Sequence, residues 1–137
     1  MRIFAFADWR TQPISPLYDV LANLEPAPDL ILYAGDDVSR FIDISYNHFH
    51  GLAQTADAEL GLVLGNDDLP QTLQELKIET SRVTDVHRNP LNINGYTILG
   101  QSGDVGTPAM GYITYSESQA AAHLESAYAD IEDERLV

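Results

Sequence analysis

Cysteine is absent from this chain, so neither a disulfide framework nor a thiolate metal site can be built from it. Lysine is nearly absent: Lys77 stands alone, and with the arginines the bases number 7 against 21 acids, a formal net charge of −14. A surface this acidic disfavours nonspecific nucleic acid and anionic membranes, because neither gains the counterion release that basic side chains supply. Any phosphate ligand would need a metal to screen that field. The same balance suits either a salt-rich setting, where charge keeps a protein soluble under strong screening, or an ordinary acidic cytoplasmic protein. Long apolar runs are missing too, since no segment approaches the roughly 18 consecutive residues of a membrane span. Residues 1–7 are apolar but lack a basic leader and a cleavage site and run straight into Asp8, so they read as a first strand rather than a signal. The expectation is a soluble, cytoplasmic protein without a membrane partner.

What is present suffices for one domain. The 137 residues are 45% hydrophobic and 20% charged, an ordinary balance for a globular core, and no repeat or low-complexity linker divides residues 1–137. Three apolar runs in the first half each end in a carboxylate or carboxamide. IFAFAD closes on Asp8, LILYAGDD on Asp36 and Asp37, and LGLVLGNDD on Asn66, Asp67 and Asp68. Separated by helix-length segments, such runs predict parallel strands joined by right-handed crossovers, with the loops at their carboxyl ends forming a crevice. Asp8, Asp36 and Asn66 are therefore expected to converge. Hard oxygen ligands without thiolates suit manganese, magnesium or iron, and a carboxylate shared by two ions is a common two-metal device. Each loop taken singly is better explained by helix capping, for which Asp and Asn are favoured. Three in succession favour the metal.

Asp8-Trp9-Arg10, Gly35-Asp36 and Gly65-Asn66-Asp67-Asp68 resemble, in order and spacing, the first half of the calcineurin-like metallophosphoesterase signature: Asp-x-His, Gly-Asp, then Gly-Asn-His-(Asp/Glu). The resemblance implies a calcineurin-like α/β fold, a parallel βαβαβ sheet followed by an antiparallel hairpin, with helices packed on the sheet as part of a four-layer α/β/β/α arrangement. It implies hydrolysis of a phosphomonoester or phosphodiester by metal-bound hydroxide, with one or two divalent ions (manganese, iron, magnesium or nickel). Asp36 would bridge the ions, Asp8 would serve one and Asn66 the other. The partner would be a small phosphate ester; assembly with further copies of the chain is left open.

Three departures qualify this. Arg10 stands where the family has a ligating histidine, and a guanidinium has no lone pair to give, so it is expected to clamp phosphate instead. Asp67 stands where the family has its catalytic histidine. It can protonate a leaving group only if burial or the like charges of Asp36 and Asp68 hold its proton. After residue 104 the family's remaining histidine motifs do not occur, and His48, His50, His87 and His123 lie in other contexts. The chain thus reads as the N-terminal portion of a longer domain, or else as a noncatalytic phosphoesterase-fold module kept for binding or scaffolding. A Rossmann-type nucleotide binder ranks last, because no G-x-G-x-x-G follows the first strand.

Elsewhere, Ser15 is expected to cap a helix that Pro16 opens and that carries Leu17, Val20, Leu21 and Leu24. A second helix is expected over residues 38–53 with Phe41, Ile42, Ile44 and Phe49 as apolar contacts. His48 and His50, two apart, would point in different directions on it, as solvated or core-edge residues rather than a ligand pair. A third helix is expected over residues 69–79, with Asp68 as cap, Pro70 in its first turn and Leu73 and Leu76 on one face. Residues 83–86 open a change of regime, and Asn94-Gly95 signals a hairpin of residues 90–94 and 96–100. Glycines 100 and 103 are expected to serve loop geometry, with Asp104 near the crevice, and residues 108–115 to form a loop or flap. Ser116 or Ser118 starts a last helix whose Ala121, Leu124 and Tyr128 share a buried face, opposite solvated Glu117, Glu125 and Asp130.

Overall fold

Strands that are apolar on both faces need cover on both sides, and this requirement sets the layers. A computed structural model describes residues 1–43, 45–75, 77–105, 111–129 and 131. Its centre is a parallel sheet of β1 (Ile3–Phe6), β2 (Leu30–Ala34), β3 (Glu59–Val63) and β4 (Val83–Asp85), in the spatial order β1-β2-β3-β4. Phe4 pairs with Ile31, Ile31 with Leu60 and Leu60 with Val83, so these residues share one face. Against that face pack α1 (Ser15–Asn23) and α2 (His48–Ala56), whose Leu17, Leu21, Phe49 and Leu52 join Ile31, Tyr33, Leu60 and Leu62 in the main core.

The opposite face is covered by an antiparallel hairpin, β5 (Leu91–Ile93) and β6 (Tyr96–Ile98), which buries Leu30, Val86 and Ile98 together with much of Leu32 and Val63. Asn94 and Gly95 form its turn with φ of 51° and 74°, the two positive values that a tight hairpin loop requires. On β1 the corresponding residues Ile3 and Ala5 are exposed. A short parallel ladder, β7 (Asp104–Val105) with β8 (Thr114–Tyr115), leads into α4 (Glu117–Ala129). No helix among the described residues is long and apolar enough to cross a membrane.

Several elements differ from the sequence-based expectation, each for a local reason. Residues 83–86 do not begin an antiparallel regime: Val83–Asp85 is a fourth parallel strand, and Val86 N–H then bonds Leu62 O at 3.0 Å. The helix expected over 38–53 is broken. A 3₁₀ turn at Val38–Phe41 ends, the Asp43 carboxylate accepts Ser45 N–H, Ser45 hydroxyl and Tyr46 N–H at 2.7–2.9 Å, and Asn47 caps α2 by accepting His50 N–H at 3.1 Å. Such a side-chain turn competes with helix for the same backbone donors. Ile44 and Leu76 lie outside the described residues. Ser15 is the first residue of α1 rather than its cap; Ile14 holds that position without a side-chain bond. The third helix shrinks to α3 (Thr72–Glu75), and Asp68 is used elsewhere.

On α4, Ser116 accepts Gln119 N–H at 3.2 Å while Gln119 Oε1 accepts Ser116 N–H at 2.9 Å, a reciprocal capping box. Its inward face is Ala120, His123 and Ala127, not Ala121, Leu124 and Tyr128, which are exposed. Residues 108–110 of the expected flap and Asp130 of the expected helix lie outside the described residues; residues 114 and 115 form β8.

Candidate functional site

The three strand ends meet because two glycines let them. A side chain at Gly35, where φ is 86°, would come within 2.6 Å of the Gly65 backbone, and one at Gly65 would run into Asp36. The loops after β2 and β3 therefore touch main chain to main chain. Asp8 N–H bonds Gly35 O at 3.0 Å and brings in the loop after β1. Asp8, Asp36 and Asp37 all adopt left-handed backbone, with φ of 57°, 65° and 56°. Aspartate tolerates that region better than most residues, at a cost of about 1 kcal/mol each.

Asp68 locks the arrangement. Only 4% exposed, its carboxylate accepts the N–H groups of Gly65 (2.9 Å), Val38 (2.9 Å) and Asp36 (3.1 Å). Burial pushes this carboxyl up from its ordinary value, while the Gly65 and Val38 donors pull the other way. The capping role expected of Asp68 is replaced by this cross-loop cradle. Tyr33 reinforces it from the core by donating its hydroxyl to Asp36 O.

Above the cradle, Arg10 gathers Asp8, Asp36 and Asp67. Its Nε bonds Asp8, Nη2 lies 2.6 Å from Asp36 Oδ2, and Nη1 lies 2.9 Å from Asp67 Oδ2. Asp36 Oδ1 meanwhile accepts Asp67 N–H at 3.2 Å, and Asn66 Nδ2 donates to Asp67 Oδ1 at 3.2 Å. Asp8 foremost, through its hydrogen bond, raises the Arg10 pKa above its ordinary value and keeps the guanidinium charged.

The expected convergence of Asp8 and Asp36 is therefore present, with Asp67 beside them. Arg10 is engaged by all three of these carboxylates, and Asp67 is 45% exposed and ion-paired to it. His48 bonds Tyr18 (Nδ1 to hydroxyl, 3.1 Å) and His50 bonds Thr80 (3.0 Å), both as half-buried core-edge residues. Asp104 accepts Val105 N–H at 2.7 Å. Gly103, with φ of 78°, passes close against Ile113, so it serves loop packing.

Hard oxygens drawn from three loops are the right donors for a divalent ion, and the guanidinium that they surround is a stand-in cation of like sign. As arranged, no group of three or more His, Cys, Asp or Glu side chains among the described residues is spaced to hold a metal ion. The acid oxygens would have to regroup around the ion as Arg10 withdraws.

A second cluster carries little signal in the sequence. Asp85 ends β4 as the other acids end β1 to β3, but that strand is only three residues long and opens what reads as a change of regime, so its carboxylate does not stand out as a strand-end acid. His87 and His123 line the same cavity as Asp85, their ring centroids 4.1 Å apart and their planes tilted by 31°.

These features define a mixed α/β protein in which a parallel sheet gathers carboxylates at its carboxyl edge. Neither a family model nor a curated protein matches the chain. A crystal structure superposes on 98% of it with a TM-score of 0.68 at 14% identity, and the chain spans 66% of that structure's length. At that identity the likeness concerns the fold alone.

Proposed function

We propose that this chain is a calcineurin-like metallophosphoesterase domain acting on small phosphate esters at the crevice formed by Asp8, Asp36 and Asn66. The observation that carries the reading is the convergence of acids from three separate strand-end loops on one cationic centre, Arg10. A divalent ion held by Asp8, Asp36 and Asn66 would supply positive charge at the phosphate oxygens and an activated water. Asp36, with 15% of its side chain exposed and flanked by both other loops, would be the central ligand. Arg10, released from the carboxylates, would offer its planar fork to a phosphate oxygen pair. Asp67, ion-paired to Arg10, stands beside both.

The same pairing favours a second reading, a noncatalytic phosphoesterase-fold module, because the guanidinium already holds all three acids and balances one of their three charges. Calorimetric titration with manganese separates the two. On the first reading the parent chain binds manganese and its thermal midpoint rises by mass action, Asp36→Asn abolishes both effects, and Arg10→Ala binds more tightly. Absence of a manganese response in the parent and in Arg10→Ala alike would leave the module.

A further inference from the structure

A cavity of about 550 Å³ opens at the carboxyl end of β4, and none of the crevice acids lines it. Asp85 lies in its wall, 1% exposed. Oδ1 accepts His87 N–H at 3.1 Å, but Oδ2 accepts no hydrogen bond, and Arg88 Nε stands 3.4 Å from it, in ion-pair range without bonding geometry. A buried carboxylate oxygen left unmet is costly, so it marks a place for an incoming N–H donor.

The neighbours narrow the chemistry. His87 Nδ1 accepts Ser102 N–H at 3.3 Å, which assigns the ring proton to Nε2 as a donor. Its ring lies 4.1 Å from that of His123 on α4, tilted by 31°, and Tyr115 lies 6.0 Å away on β8, so aromatic rings line the cavity. A matching ligand is planar and presents an N–H to Asp85 next to an acceptor for Arg88 or His87. That is a lactam edge, N–H beside C=O, and the volume admits a bicyclic base.

We infer that this cavity is a nucleobase pocket that takes a guanine-type base, its N–H edge on Asp85 and its carbonyl oxygen toward Arg88. Guanine sets two N–H groups side by side on the Asp85 flank, whereas adenine offers one amino group and no carbonyl. The pocket rests on its own geometry and stands or falls apart from the reading of the crevice.

Nucleosides, which carry no phosphate, provide the test. In calorimetric titration of the 137-residue chain, guanosine should bind about tenfold or more tightly than adenosine. In Asp85→Asn the His87 N–H retains the remaining oxygen, so the amide nitrogen faces the cavity; guanosine binding should fall by about tenfold or more and xanthosine, with a carbonyl in place of the amino group, should bind better. His123→Ala removes a stacking surface and should weaken guanosine about fivefold or more, which keeps the test open if Asp85→Asn misfolds. No heat with guanosine in the parent chain would overturn the inference and leave Asp85 bonded to trapped water. Equal guanosine affinity in the properly folded variants would overturn it as well.

Discussion

Single carboxylates in this protein owe their behaviour to their surroundings more than to their type. Asp8, Asp36 and Asp67 are spent on Arg10, Asp68 on backbone N–H groups, and Asp85 on one N–H with an oxygen to spare. Burial pushes the Asp85 carboxyl above the usual carboxylate range, and the charge of Glu79 adds to this, while His87 N–H and Arg88 oppose it. The folded value then exceeds the unfolded one of about 3.9. Stability from this group is complete below the unfolded value and is lost as pH rises through the folded one. Asp85→Asn, which cannot ionise, should therefore gain in thermal midpoint relative to the parent chain as pH rises above about 4. A difference that stays constant with pH would show that Asp85 ionises as freely in the fold as out of it.

Among the elements, the short 3₁₀ turn at Val38–Phe41 links core to crevice. Phe41 stacks on Phe49 of α2 with centroids 4.4 Å apart and planes 15° apart, and both meet Tyr33 at 5.2 Å. Val38 N–H, at the start of the same turn, bonds Asp68. Emptying this stack with Phe41→Ala should cost about 3–5 kcal/mol in denaturant unfolding, as for other fully buried aromatics. It should also loosen the Asp36 loop. A loss below about 1 kcal/mol would mean that the site collapses around the gap.

For the whole molecule the dominant quantity is charge. At −14 the chain repels itself, and Arg10 relieves this at only one place. Raising salt from about 0.1 M to about 1 M shortens the screening length from about 10 Å to about 3 Å. The thermal midpoint should climb over that range. A falling midpoint would mean that the exposed Arg10 pairs outweigh the general repulsion. The same charge makes a divalent ion the natural mediator for any phosphate reaching the crevice.

The sequence by itself determined the parallel strands, the Asn94-Gly95 hairpin and the meeting of Asp8 with Asp36, because apolar runs, glycine punctuation and strand-end acids are local patterns with few structural solutions. It left the rest open for an equally physical reason. Whether residues 38–53 continue as helix depended on the Asp43 side chain capturing backbone donors, and the inward face of α4 depended on where the helix landed. Whether Arg10 reaches carboxylates from three loops, and whether Asp85 has a partner, are questions about groups distant in sequence. Only the tertiary structure decides them, since charge pairing and burial act through space.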